Sequence, residues 1–425
     1  MTAPGTDSGI LRAVENIVAV DNHAHPLPLG VESAADPDQP ICPYDHPLPL
    51  RQRQSNPEYV AAWQALWGYE HGDAEPDHLR ELITAKEKVQ ADQGSNYNSW
   101  VLDQLGVRTM VNIAYSGVES LPAPRFRWCS FADWLMWPVP VRSPEEPQLV
   151  ANYTREVAAA VARAGLSSVP GTLPGYVDDL LRPELARRKA EGAVGLKFQT
   201  PYYRAIDFAD VAADDAASIY RRGVRDGDLG PDERRALQDY LFHAIAREAG
   251  SVGLPIQMHT GLGAKPHFDT GGSNPLLMES VFTAAPHTSF VLLHAGWPFD
   301  RQAISALAHE NVHLDISCAT IHLYPRALAE ILRGALEWFP EKVMYGTDAY
   351  SDRSLAMLSG VPVRSNFLTG WEEKAWLMDR TTRQALALAL SGMRDDGVLA
   401  QDHVLPYADL VMRGNADKLY GLNDA

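Results

Sequence analysis

Cysteine is scarce in this chain. Cys42, Cys129 and Cys318 are scattered over 425 residues, and no two stand in a C-x-x-C pair. That odd set argues against a disulfide framework and against a cysteine-rich zinc site, and each residue reads as a buried thiol. Long apolar runs are missing too: none approaches the ~20 residues of a membrane-spanning helix. The first nine residues hold neither the basic nor the apolar region of an export signal, so a cytoplasmic protein is expected. Positive charge is in deficit, with 37 Lys and Arg against 54 Asp and Glu, a net charge of −17, and no basic block. This argues against nucleic-acid and membrane partners and leaves a small molecule as the expected partner of a monomer or homo-oligomer. No GxxxxGK[ST], GxGxxG or GxSxG occurs, and Gly261-Leu262-Gly263 resembles a phosphate loop only superficially.

What is present is a set of four polar signatures in fixed order. They are Asp21-Asn22-His23-Ala24-His25, Met258-His259-Thr260-Gly261, Leu293-His294-Ala295-Gly296 and Tyr345-Gly346-Thr347-Asp348. Each follows a short apolar run that reads as a buried strand: residues 17–20, 254–257, 290–293 and 343–345. Further strands are expected at 107–114, 125–131, 193–198 and 311–316. Helix-sized spacers separate them, including 59–69, 76–90 (with Asp77 as its cap), 143–164, 177–191, 208–225 and 231–249. Alternating strands and helices imply a parallel sheet, and about eight such units imply closure. The expected fold is a distorted (β/α)₈ TIM barrel, one domain over residues 1–425, since barrels of ~250 residues or more form single units. Insertions at about 30–100, after strand one, and 199–230, after strand four, would form a lid. The first is expected to be helical beyond a Pro-rich loop.

The chemistry follows from the strand ends. Side chains two apart on an extended chain point the same way, so His23 and His25, separated by a small alanine, aim two imidazoles at one point. Neutral imidazole is the commonest metal ligand. His259, His294 and Asp348 stand at the C-terminal ends of their strands, the face that carries the active site in parallel barrels. Three histidines and a carboxylate suit Zn²⁺, with Mn²⁺ or Fe²⁺ as alternatives. A satisfied core histidine is the competing reading for any one of these residues; together they point to a divalent metal.

These residues carry a resemblance. The HxH after strand one, with His259, His294 and Asp348, is similar to the amidohydrolase superfamily. Gln257-Met258-His259-Thr260-Gly261, Leu292-Leu293-His294-Ala295-Gly296-Trp297-Pro298-Phe299, Val312-His313-Leu314-Asp315-Ile316-Ser317, Tyr345-Gly346-Thr347-Asp348-Ala349 and the closing Arg413-Gly414-Asn415-Ala416 resemble its nodulin-like and FluG-like branch. Residues 30–100 lie outside the likeness. The resemblance implies a metal held by His23, His25, His259 and Asp348, with His294 as a second-metal ligand or catalytic group. It also implies a role for Lys197: a carbamate bridging two metals, or an ammonium binding a substrate carboxylate. Pairing with Asp207 or Asp210 is the structural alternative.

Other residues carry weaker signals. Arg204 could clamp a carboxylate or lie on the surface. Tyr202 and Tyr203 adjoin it, and Trp134, Trp137 and Trp297 could wall a substrate or fill the core. Asp315 could orient a ligand histidine or serve structure; His313 and His322 have lesser claims. The expected function is a metal-dependent hydrolase acting on an amide-type C–N bond. Asp348 would be the proton acceptor, with His294 and Lys197 as further catalytic groups, and Lys197, Tyr202, Arg204 and Trp297 would bind a carboxylate-bearing substrate. The alternatives are a non-oxidative decarboxylase, a C–C hydrolase, and a non-catalytic metal sensor.

Overall fold

The computed structural model describes residues 3–26, 50–52, 56–114, 121, 123–141, 147–263, 268–351 and 369–422. Eight strands form one sheet in chain order: β1 (Ala19–Ala24), β2 (Val107–Ala114), β3 (Phe126–Phe131), β4 (Ala193–Phe198), β5 (Ile256–Met258), β6 (Phe290–Leu292), β7 (Val312–Asp315) and β8 (Val343–Met344). Parallel pairing runs from β3 through β7 and joins β1 to β2. The residues after β8 return to β1, and a parallel bridge links His25 to Tyr350. The result is the expected nearly closed barrel of parallel strands with helices between them. Strands β1 and β4 are buried along their whole length, as a sheet covered on both faces requires.

The chain clusters into two compact units. One comprises Met1–Asn112, Ser120–Arg127 and Asp315–Ala425; the other comprises Ile113–Glu119 and Trp128–Leu314.

In the first unit the organising element is helix Trp371–Asp395, which the sequence reading passed over. Its residues are buried on most sides, so no clean polar stripe marks it. Its Arg383 donates to the carbonyls of Val14 (2.7 Å) and Ile17 (2.9 Å) and pairs with Asp379, which also accepts from Tyr345 Oη (2.9 Å). One helix thereby holds the start of β1 and the end of β8. Asn415 of the Arg413-Gly414-Asn415-Ala416 phrase donates to Pro340 O and Val343 O, both at 2.8 Å, and fixes the entry to β8. Helices Pro57–Trp67 and Pro76–Gln93 of the insertion pack on the same long helix: Trp67 Nε1 and Lys86 Nζ both donate to Glu373 Oε1. Asp77 does not cap the second of these. The helix starts at Pro76 as expected, with Glu75 in the cap position, and Asp77 pairs with Arg80 in its first turn.

In the second unit, helix Pro231–Ser251 packs Phe242 against Phe198 of β4 (ring centroids 5.0 Å) and Phe208 (3.7 Å, stacked). The helix expected from Phe208 begins only at Ala213, because Phe208 is committed to that stack. The segment expected as one helix over 177–191 is a π-turn, Val177–Leu181, running into helix Arg182–Ala190.

The cluster at the start of the long helix makes stability depend on pH. Glu372 is buried and accepts from Tyr97 Oη at 2.7 Å. Burial, reinforced by the charge of Glu373, pushes its carboxyl up to about 7 from the usual 4.5. The folded state therefore holds a proton that the unfolded chain releases, and raising the pH through that window destabilises the fold. Gln at this position keeps the acceptor for Tyr97 and cannot ionise. The melting temperature of Glu372→Gln, relative to wild type, should rise as pH moves from about 4.5 to about 7. A pH-independent difference would remove Glu372 from this role.

Candidate metal centre

Strand β1 ends at Ala24, four residues past the expected run 17–20, so His23 lies inside it and His25 sits in the bridge to Tyr350. Its neighbour across the seam is the segment after β8. Asn22 N donates to Tyr345 O (3.1 Å), Asp348 N to His23 O (2.7 Å) and His25 N to Ala349 O (2.7 Å). These bonds set two imidazoles against one carboxylate. His23 Nε2 and His25 Nε2 each stand 3.2 Å from Asp348 Oδ1, with the rings edge to face at 5.2 Å. Ligand atoms of all three lie within 4.8 Å of one another. Two donors about 2.0–2.2 Å from a tetrahedral zinc ion are roughly 3.3–3.5 Å apart, so this set fits a divalent cation. The His23 side chain is fully buried, that of Asp348 largely so, and that of His25 is partly exposed.

Several supporting residues were not singled out from the sequence. Asp21 is buried and accepts from Thr347 N (3.0 Å), Thr347 Oγ1 and His23 N (3.2 Å). Burial pushes its carboxyl up to about 7 against the pull of those donors. Asn22 donates to Tyr345 O (2.7 Å) and to Asp315 Oδ2 (2.6 Å). Asp315 also accepts from Ser317 N (3.0 Å) and Ser317 Oγ, contacts that tie the ends of β1, β7 and β8 together. Gly346 makes this packing possible: a Cβ there would stand 2.4 Å from Asp315 Oδ2 and 2.9 Å from Asn22 Nδ2. Four described non-glycine residues hold a positive φ, namely His294 (67°), Ala295 (54°), Cys318 (54°) and Asp348 (55°), and all follow the ends of β6, β7 or β8. Such backbone conformations concentrate at functional sites.

The second unit carries the other predicted residues. His259 and His294 are both buried, and His294 Nε2 meets His259 Nδ1 at 3.0 Å. The ring of Tyr202 lies 4.9 Å from that of His259, edge to face. Gly261 allows the backbone to pass close to Trp297; any Cβ there would strike Trp297 O at 2.2 Å. Lys197 is buried in β4, and its neighbouring acid is Asp133, which the sequence reading missed. Asp133 accepts from Gln199 N (2.9 Å), Thr200 Oγ1 (3.0 Å) and Tyr203 Oη (2.9 Å). Burial pushes its carboxyl up to about 6, opposed by these donors and by the charge of Lys197. Asp207, named as a structural partner for Lys197, pairs instead with Arg235 at 2.5 Å. Arg204, expected either to clamp a carboxylate or to lie on the surface, has a largely buried side chain. Its guanidinium is turned into the protein, 2.5 Å from Asp239 Oδ1 and 3.3 Å from both Arg235 O and Gln238 Oε1. Trp134 is core, with its Nε1 donating to Phe131 O at 3.0 Å.

The amidohydrolase family profile matches residues 140–422, well over half of the sequence. The chain belongs to the amidohydrolase family. Protein fluG of Emericella nidulans is 28% identical over 199 residues, which are 45% of this chain and 21% of that protein. The chain thus matches about a fifth of that relative's length. Among solved structures, a Lactobacillus casei protein assigned to the metal-dependent hydrolases is similar at 17% identity and a TM-score of 0.63, covering 98% of both chains. Uronate isomerase from Thermotoga maritima is similar at 12% identity and a TM-score of 0.66, covering 97% of this chain and 96% of its own. Glucuronate isomerase from Caulobacter crescentus follows at 13% and 0.64, covering 99% and 96%. At these identities the likeness is one of fold, and it agrees with the barrel described above. Family membership makes this amidohydrolase an enzyme whose fold implies a divalent metal. No helix among its described residues is long and apolar enough to cross a membrane.

The β1–β8 packing yields a direct test. Gly346→Ala in this amidohydrolase should be destabilised by roughly 1–3 kcal/mol, the usual range for an overpacked core. It should also bind metal more weakly than wild type, because the added methyl pushes on the segment that carries Asp348. Chemical denaturation and metal titration of the variant measure both; wild-type values would show that the close approach is immaterial.

Proposed function

We propose that this amidohydrolase is a metal-dependent hydrolase of a small, carboxylate-bearing substrate, with water attacking an amide-type C–N bond. The observation that supports it most is the meeting of His23 Nε2 and His25 Nε2 at Asp348 Oδ1, 3.2 Å each. In this reading His23, His25, His259 and Asp348 hold one divalent ion, Zn²⁺ in preference to Mn²⁺ or Fe²⁺. A bound ion of this kind lowers the pKa of water towards ~7 and polarises a carbonyl.

The residues supply the rest. Asp348 takes the proton of the attacking water and returns it to the leaving nitrogen. With Nε2 of His259 reserved for the cation, its Nδ1 carries the hydrogen and donates to His294 Nε2, which fixes tautomer and ring orientation. His294 thereby positions a ligand and shares the proton traffic near the developing oxyanion. Lys197 acts as a buried ammonium for the substrate carboxylate; the nearby carboxyl of Asp133 favours the charged amine over a carbamate. Tyr202, packed on His259, and Trp297 border the remainder of the substrate. Arg204 contributes indirectly, by tying its loop to helix Pro231–Ser251. A cytoplasmic location belongs to the same proposal.

Two of the similar folds are uronate isomerases, so the substrate screen should combine uronates, N-acyl amino acids and aromatic carboxylic acids, run in heavy-oxygen water. The proposal expects release of an amine with label in the new carboxylate. Carbon dioxide without label would mean decarboxylation, and turnover of a uronate without label would mean isomerisation. Asp348→Asn should retain part of its metal while kcat falls by about 10²–10⁴-fold, the usual loss with a general base. Wild-type kcat in a metal-loaded variant would remove Asp348 from the proton-accepting role.

A further inference from the structure

Strand β2 brings to the His-x-His run an asparagine that the proposed mechanism leaves unused. β2 pairs with β1 in parallel, and the register sets Met110 against Asp21 and Asn112 against Ala24, the residue between His23 and His25. One strand spacing, about 4.8 Å, therefore separates the Asn112 backbone from that run. β1 has one extra residue between the two pairs, while β2 keeps its alternation. Asn112 thus returns to the face of Met110, the face that Asp21 takes in β1. It also lies near the C-terminal end of β2, the end at which parallel barrels carry their chemistry.

The Asn112 side chain is 1% exposed, and neither Nδ2 nor Oδ1 makes a hydrogen bond within the protein. Among the described residues it is alone in having both polar atoms of one side chain in that state. Other buried asparagines are engaged: Asn22 donates to Tyr345 O, Asn56 to Arg51 O, and Asn415 to Pro340 O and Val343 O. Met110, Val111 and Ile113 around Asn112 are apolar and fully buried. Packing alone would be served there by leucine, which is close to asparagine in size and carries no amide to desolvate. A buried amide with donor and acceptor both unused is what a site that hydrogen-bonds its ligand requires.

We propose that Asn112 is a substrate-binding residue of the metal centre. Its Nδ2 donates to an oxygen of the substrate's amide group, and its Oδ1 accepts from the N–H. The assignment rests on the metal-dependent amide reading and narrows it: the substrate is a primary or secondary amide, and tertiary amides, which have no N–H, are rejected.

Calorimetric titration of the zinc-loaded full chain with acetohydroxamate and N-methylacetohydroxamate tests this. Both chelate zinc through two oxygens, and only the first carries an N–H. Zinc content and melting temperature are measured on the same samples of wild type, Asn112→Leu and Asn112→Ala. Wild type should bind the N–H compound at least about tenfold more tightly, the worth of one good hydrogen bond. Both variants should keep their zinc and bind the two compounds within about threefold of each other. Asn112→Leu should melt at or above the wild-type temperature, since it removes a desolvated amide. A wild type that holds zinc and binds the two compounds alike overturns the assignment and leaves the metal centre standing. So does an undiminished preference in both variants. A wild type that holds no zinc overturns both. The amide reading itself is tested separately, by the labelled-water screen.

Discussion

The seam between β1 and the segment after β8 is the constraint on which the site depends. Three backbone hydrogen bonds, Asn22 to Tyr345, Asp348 to His23 and His25 to Ala349, fix the register of the first strand against the last. Register matters because side chains alternate along a strand, and a one-residue slip would turn His23 and His25 away together. The carboxylate of Asp21 reinforces the seam by accepting from both Thr347 and the backbone of His23. Gly346 permits the close approach, and Asp348 completes it in a left-handed conformation that few non-glycine residues adopt. Much of the surrounding unit holds these two segments. Arg383 fixes the start of β1, Asn415 the entry to β8, and Tyr345 leans on Asp379 of the long helix.

The barrel and the identity of the strand-end residues were legible in the sequence because both rest on short-range patterns. Apolar runs of four to eight residues mark buried parallel strands, and His-x-His needs only the two-residue period of a strand to aim both rings together. The residues that escaped notice act over long sequence separations. Asp21 meets Thr347, Asn22 meets Asp315, and the carboxyl beside Lys197 comes from Asp133 after β3. Nothing local distinguishes those acids from solvated ones. Arg204 likewise meets a partner that no local pattern announces, Asp239, thirty-five residues on. Helix Trp371–Asp395 was missed because burial on several sides erases the amphipathic stripe.

Family membership defines a scaffold and a metal chemistry more firmly than a reaction. Similar barrels belong to a metal-dependent hydrolase and to isomerases of uronates, so the selection of chemistry lies in the side chains around the metal. In the proposed mechanism those are Asp348 for the proton, the His259–His294 pair for ligand orientation, and Lys197 with Tyr202 for the substrate. The burial of Asp348, His259, His294 and Lys197 keeps water scarce and makes each charge more effective than it would be in solvent.

The central claim is that His23, His25 and Asp348 are ligands to a cation and not a hydrogen-bonded cluster. Anomalous diffraction from crystals of the zinc-loaded protein tests it most directly. The account predicts an anomalous peak about 2.0–2.2 Å from His23 Nε2, His25 Nε2 and an oxygen of Asp348. Zinc-loaded crystals with no peak there, and with both imidazoles donating straight to the Asp348 carboxylate, would contradict it.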